Sequence, residues 1–269
     1  MRKLNVMTTS AAAVCLVLAG HAHAAPIADW QFEIPGGSSA GDAFVSDTDT
    51  ANGLVANVKS GSPTYAAVPN GVAAAAGAGA VRTNGGVLQV NDNDALTGHA
   101  NGGTGLDYLR IDAWINTTNS SSSLQQITRK MSNASGAAGY LFYVRNGDLN
   151  FEVNDGSSRF TLATNNDSMT TNTWHHVTAI FDGVNKTMEL LLNGSSQADK
   201  SLTSATTITL ANDAAVLGIG GLIRDSGSTG QQFQGDIARV ILDDGAPIPE
   251  PASLALTAMG ALAFLRRKH

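Results

Sequence analysis

Residues 173–194 read TWHHVTAIFDGVNKTMELLLNG. Trp174 to Phe181 and Met188 to Leu192 form two predicted strands across Asp182-Gly183, and Asn193-Gly194 then turns the chain again. Asp-Gly and Asn-Gly steps between such runs signal hairpins, because these residues accept the positive φ that a tight turn needs. Within the first strand, the adjacent pair His175-His176 points to opposite faces, so the two rings are not expected to ligate one metal together.

The same pattern extends outward. Tyr140 to Arg145 and Leu149 to Val153 are two strands joined by Asn146-Gly147, a type I′ signal. Leu109-Arg110-Ile111-Asp112-Ala113-Trp114-Ile115 alternates, with Leu109, Ile111, Ala113 and Ile115 on one face. Thr206 to Leu210, Ala215 to Ile219 and Gln234 to Leu242 read as later strands. No segment of the body shows the i, i+3, i+4, i+7 spacing of an amphipathic helix. Many short strands without intervening helices predict an all-β sandwich or jelly roll. Residues 36–105 give no clear strands. Gly36 to Gly41 and the Ala-rich Val72 to Ala80 read as long loops.

The ordered set of motifs resembles the laminin G-like, concanavalin A-like lectin/glucanase superfamily. Asp29-Trp30-Gln31-Phe32-Glu33 is similar to its opening strand, and Ile111-Asp112-Ala113-Trp114-Ile115 to a later framework strand. Thr173 to Thr178 resembles the W-x-H-V-A strand, followed by Phe181-Asp182-Gly183 and Leu191-Leu192-Asn193-Gly194. Val216 to Gly220 and Phe233 to Val240 resemble the closing strands. The resemblance covers about 30–245 and implies a concanavalin A-like jelly-roll β-sandwich at 25–246.

The two ends read as targeting segments. Met1-Arg2-Lys3, an apolar stretch over Ala11 to Ala19, and Ala22-His23-Ala24 make up a secretory signal. Residues 1–24 are thus a signal helix, cleaved by signal peptidase between Ala24 and Ala25. The apolar run is well short of the ~20 residues that a membrane span needs. At the other end, 247–269 holds Pro249-Glu250-Pro251, an apolar run from Ala252 to Leu265, and Arg266-Arg267-Lys268-His269. This layout resembles the PEP-CTERM sorting signal of Gram-negative bacteria, which implies an exosortase as processing partner. The prolines present extended peptide. The apolar run is a short transmembrane helix of about 21 Å that inserts transiently in the inner membrane, with the cations held cytoplasmic. The expected destination is the cell surface or extracellular matrix.

Composition fits export. Cys15 is the only cysteine, so the domain must hold together through its core without disulfides. Of 16 basic residues, Arg2, Lys3, Arg266, Arg267 and Lys268 lie in the ends, leaving 11. Of 22 acidic residues only Glu250 does, leaving 21 and a balance near −10. Such a surface is unsuited to nucleic acid, which is bound through displaced counterions, and to anionic lipid.

Candidate chemistry is sparse. Glucanases of the resembled superfamily carry E-x-D-x-x-E on one strand, which places two carboxylates on one face. Here Glu33, Glu152 and Glu189 are far apart, so a noncatalytic domain is expected. Gly37-Ser38-Ser39-Ala40-Gly41 matches a nucleophile elbow in letters only, lacking a preceding strand and following helix. His176 is expected to pack or hydrogen-bond inside the sandwich. The resemblance also implies a Ca²⁺ site, for which Asp47, Asp49, Asn52 and Asp236 are the candidates. Sugar recognition needs an aromatic face and polar groups. Arg110, Asp112 and Trp114 share one side of their strand, and Asn150, Glu152 and Asn154 share one face of the hairpin expected beside it. Trp114 and Trp174 either supply such a face or fill the sandwich. The expected function is noncatalytic glycan binding or adhesion to extracellular polysaccharide. A structural matrix component and an unrecognised polysaccharide hydrolase are the alternatives.

Overall fold

The structure is a computed structural model that describes residues 26–72, 79–97, 105–165 and 168–245. The segments expected to direct export, with Ala24, Ala25, Pro249, Glu250, Pro251, Arg266, Arg267 and Lys268, lie outside the described residues, as does His99.

The regular structure of the described chain is almost entirely strand. The early strands are β1 (Ala28–Trp30), β2 (Ser46–Thr48), β3 (Val55–Ser60), β4 (Thr64–Ala67), β5 (Gly79–Arg82), β6 (Val87–Val90) and β7 (Gly105–Leu106). The middle of the chain forms β8 (Tyr108–Thr117), β9 (Gln125–Met131), β10 (Gly139–Arg145), β11 (Asp148–Asn154), β12 (Arg159–Ala163) and β13 (Trp174–Asp182). There follow β14 (Thr187–Leu192), β15 (Ser195–Ser201), β16 (Leu210–Ala211), β17 (Leu217–Ile219), β18 (Leu222–Ile223), β19 (Thr229–Gly230) and β20 (Gly235–Asp243).

Two antiparallel sheets of eight strands carry the fold. The first runs β15-β14-β13-β8-β20-β5-β4, with β1 sharing the edge of β20 beside β5. The second runs β12-β11-β10-β9-β17-β6-β3-β2. Alternation decides which face each sheet buries. On β8, Leu109, Ile111, Ala113 and Ile115 are at most 1% exposed and join the core. Val177, Ala179 and Phe181 do the same from β13, and Tyr140, Phe142 and Val144 from β10. The core also contains Trp30, whose indole Nε1 donates to the Leu54 carbonyl at 2.9 Å. No described residue is a cysteine, so this buried apolar surface carries the stability, roughly 25 cal/mol for each Å² removed from water.

The turns behave as their residues dictate. Asn146 and Gly147 take φ of 54° and 75°, and Asn193 and Gly194 take 51° and 78°, giving the two-residue hairpins β10–β11 and β14–β15. The Asp182-Gly183 connection is longer. The Asp182 carboxylate accepts from the Asn185 backbone N–H, and Lys186 adopts φ 59°.

Residues 36–105 hold the early strands that the sequence leaves unplaced, β2 to β6 and the first residue of β7; Gly36 to Gly41 lies outside them, whereas Gly79 and Ala80 belong to β5. These strands are short, and β2 and β3 lie at the sheet edge with exposed polar positions. Of Thr206 to Leu210 only Leu210 is in a strand, and Ala215 to Ile219 shortens to Leu217–Ile219. The Ser39 segment is a turn in which Ser39 N–H donates to Asp42 Oδ2 at 2.7 Å, with no strand leading in and no helix leading out.

One irregularity determines which β20 side chains reach the outer face. The register between β20 and β8 shifts between Ile237 and Arg239, so Ala238 is a bulge residue. A one-residue insertion reverses the facing of everything after it. Asp236 lies outward before the bulge, and Arg239 lies outward after it beside Trp114.

Candidate functional site

The outer face of the first sheet carries a set of polar and aromatic side chains placed by β13, β8 and β20. Cross-strand registers arrange them in rows: His176–Trp114–Arg239, then Thr178–Asp112–Ile241, then Ile180–Arg110–Asp243. Because the alternate residues of each strand are locked in the core, these side chains have no freedom to exchange faces.

Asp112 is the hub. It is 7% exposed. Arg110 donates to it through Nε at 2.5 Å and Nη2 at 3.0 Å, and the Thr178 hydroxyl donates at 2.7 Å. His176 Nε2 lies 3.1 Å from its Oδ1. Burial opposes ionisation of this carboxyl, but the hydrogen bonds from His176, Arg110 and Thr178 outweigh it and hold the pKa at about 2. Arg110 is raised in turn, chiefly by its hydrogen bond to Asp112.

Trp114 stacks on His176, with centroids 5.1 Å apart and planes 18° from parallel. Arg239, opposite Trp114 in register, forms a two-point pair with Asp29 through Nε and Nη2, each at 2.7 Å. Together Arg110, Asp112, Trp114, His176, Arg239 and Ile241 line a cleft of about 290 Å³. Its walls combine an aromatic stack, an aliphatic side chain and two guanidinium groups oriented by buried carboxylates. Such a surface offers apolar contact and fixed hydrogen-bond donors. The carboxylate at its floor accepts four protein donors. It therefore orients its neighbours and is not poised to hand a proton to a substrate.

The structure brings together Arg110, Asp112 and Trp114 as their alternation requires. It separates them from Asn150 and Glu152. The hairpin that carries those two is not beside β8; it belongs to the second sheet. There Asn150 Nδ2 donates to the Asp148 carbonyl at 3.0 Å, and Glu152 is paired with Arg159.

His176 does not lie inside the sandwich. Its neighbour His175 does, 5% exposed, with Nε2 at 3.1 Å from the Thr170 carbonyl. The inward run Val177, Ala179, Phe181 leaves His175 in the same phase and turns His176 outward. Unlike Trp30, the other two tryptophans do not fill the main core. Trp114 and Trp174 are partly exposed and pack against a small cluster of Ala66, Val68, Ala80 and Ala238 on the outer face. Arg239 and Ile241 escape a sequence reading because the Ala238 bulge sets their facing.

Of the residues expected at a calcium site, Asp47 lies on β2, with Asp49 and Asn52 in the turn that follows it. Asp49 Oδ1 accepts from the backbone N–H groups of Ala51 at 2.7 Å and Asn52 at 2.9 Å, while Oδ2 accepts from Leu54. Asp47 Oδ2 accepts from the Phe32 N–H at 3.2 Å, and burial raises its pKa. Asn52 Nδ2 donates to the Ile27 carbonyl at 2.6 Å. Asp236 is not brought to this loop: it sits on the first sheet, bound by Arg82 at 2.8 and 3.1 Å. Among the described residues no group of three or more histidine, cysteine or acidic side chains is arranged around a common metal position. Glu33, Glu152 and Glu189 lie after β1, on β11 and on β14 respectively.

A protein-family model described as the concanavalin A-like lectin/glucanases superfamily matches residues 109–246, just over half of the chain. A comparison with curated protein sequences finds no match. Among solved structures, the Ruminococcus gnavus IT-sialidase CBM40 bound to alpha2,3 sialyllactose is 19% identical, over 52% of this chain and 77% of that one, with a TM-score of 0.45. The botulinum neurotoxin serotype D binding domain is 13% identical, over 82% of this chain and 47% of that one, with a TM-score of 0.49. Domains LG4-5 of the mouse laminin alpha1 chain are 18% identical, over 52% and 37%, with a TM-score of 0.41.

The Asp112 hub has a pH signature. A carboxyl whose folded pKa is depressed stabilises the fold above its ordinary value of 3.8 and loses that contribution as pH falls towards about 2. The contribution is roughly 2 kcal/mol at neutral pH. In denaturant titrations, wild type should exceed Asp112→Asn by a constant margin down to about pH 4, and the margin should shrink below it. A margin that stays constant to about pH 2 would contradict this assignment.

Proposed function

This chain belongs to the concanavalin A-like lectin/glucanases superfamily, and we propose that its sandwich is a noncatalytic glycan-binding domain exported to the cell surface or extracellular matrix. The observation that carries this reading is the outward set on β13, β8 and β20. An aromatic stack and two oriented guanidinium groups border a cleft of about 290 Å³ on the most central strands of a rigid sheet. A saccharide ring presents C–H faces to an aromatic wall and hydroxyl oxygens to donors, which is the chemistry gathered here. Hydrolysis with retention needs two carboxyl groups about 5–5.5 Å apart, one of them protonated. The cleft is lined by one carboxyl group, Asp112, held ionised and saturated with donors. Fold alone does not select a ligand, so the assignment rests on these side chains.

A glycan array probed with the protein tests it. Binding to a subset of glycans is expected, and Trp114→Ala should weaken it about tenfold, the worth of one lost aromatic contact. A parallel array in chelator reports whether calcium bound near Asp47, Asp49 and Asn52 supports the site. Silence across all glycans would favour a structural matrix component. Release of reducing ends from a polysaccharide would overturn the noncatalytic assignment.

Export is read from the termini, 1–24 and 247–269, with signal peptidase and an exosortase as processing partners. The secreted chain should accordingly begin at Ala25, and deleting 247–269 should redirect it from the surface to the medium or periplasm. Fractionation and N-terminal sequencing check both. Unchanged surface retention of the truncated chain would remove the sorting role of Pro249-Glu250-Pro251 and the Arg266-Arg267-Lys268 end.

A further inference from the structure

The outer face of the second sheet has its own architecture. Cross-strand registers align Glu152, Leu141, Arg129, Gly218 and Gln89 in one row across β11, β10, β9, β17 and β6. Gly218 has no side chain because the Gly221 carbonyl passes over it; a Cβ there would lie 2.5 Å from that oxygen. The β18–β19 hairpin therefore folds back over the sheet, and Thr229 accepts a hydrogen bond from the Ser60 hydroxyl at 3.0 Å, which ties it to β3.

Two adjoining grooves lie on this face, of about 550 Å³ and about 450 Å³, meeting at Ser132, and the hairpin borders the second. Arg129 and Arg159 line the first; Lys59 and Arg224 line the second. Among the described residues, Lys59, Arg129 and Arg224 form no ion pair. By contrast Arg82, Arg110, Lys130, Arg159 and Arg239 are each paired. Arg129 directs Nε to the Met131 carbonyl and Nη2 to Ser132 and Asn133. Lys59 Nζ reaches across to Gly227. The acids nearby are turned to protein donors: Glu152 to Arg159, Asp225 to the Ser132 hydroxyl at 2.8 Å, and Asp213 to the backbone of Ser132 and Ala215. Three cations that form no ion pair thus line grooves whose carboxylates, Glu152 in the first and Asp213 and Asp225 in the second, are each engaged by protein donors.

From this arrangement we infer a second binding surface, on the second sheet, for a carboxylate-bearing acidic polysaccharide. Guanidinium groups with N–H donors to spare recognise carboxylates in two-point geometry, and paired grooves give room for more than one sugar unit. The inference goes beyond the cleft on the first sheet and does not depend on it.

Calorimetric titration of the full chain with polygalacturonate, and with neutral dextran as comparison, tests the proposal at low ionic strength. Binding of polygalacturonate alone is expected, weakening as salt shortens the reach of exposed charges. Lys59 and Arg224 are exposed, so Lys59→Gln with Arg224→Gln should leave the fold intact while weakening binding about tenfold. Trp114→Ala should leave it unchanged, which separates this surface from the first-sheet cleft. No binding of polygalacturonate, equal binding of dextran, or an undiminished affinity in the double variant would each overturn the proposal.

Discussion

Strand β8 holds the molecule together by facing two ways. Leu109, Ile111, Ala113 and Ile115 are sealed in the core, so Arg110, Asp112 and Trp114 must stand on the outer face. A shift of one residue would exchange the two sets, burying a charge pair and exposing four apolar side chains, a cost of many kcal/mol. With β13 and β20 hydrogen-bonded on either side, the outer face becomes a fixed grid. Recognition built on such a grid loses little conformational entropy when a ligand arrives.

Charge on that grid is held just as firmly. Asp29, Asp112 and Asp236 are 5–7% exposed, and each is met by an arginine from the same or a neighbouring strand. Lys130, 3% exposed, donates to Asp92 at 2.7 Å and to the Asp213 and Ala215 carbonyls at 2.6 and 2.9 Å. Leaving any of these charges buried without its partner would be strongly destabilising. The pairs therefore fix register across strands distant in sequence, a useful property where disulfides are lacking. Among the described residues, Lys59, Arg129 and Arg224 on the outer face of the second sheet differ from these pairs in having no carboxylate within ion-pair distance.

Much of the fold is legible in the sequence because its signals are local. Asn146-Gly147 and Asn193-Gly194 take the positive φ values that their residue types favour, and the alternation on β8, β10, β11 and β13 yields four strands close to their observed limits. Other strands lack that signal. β15 reads Ser-Ser-Gln-Ala-Asp-Lys-Ser at a sheet edge and is mostly exposed, so hydrophobic periodicity has nothing to report. β9 carries Gln125, Gln126 and Lys130 into buried positions through specific hydrogen bonds, which composition hides. Within the site, Arg110, Asp112 and Trp114 follow from alternation alone. Family resemblance suggests an inward His176, whereas the phase of Val177, Ala179 and Phe181 sets it outward. Arg239 depends on the Ala238 bulge, a tertiary feature, and the hairpin of Asn150 and Glu152 finds its sheet only through long-range pairing.

If a glycan seats against Trp114 on this grid, the three tryptophan indole N–H resonances provide an internal test, since Trp30 is fully buried with its N–H bonded to Leu54. Titration with the tightest glycan from the array should shift the Trp114 signal along the binding isotherm and leave Trp30 in place. Saturable binding with a stationary Trp114 resonance would contradict glycan recognition at this cleft.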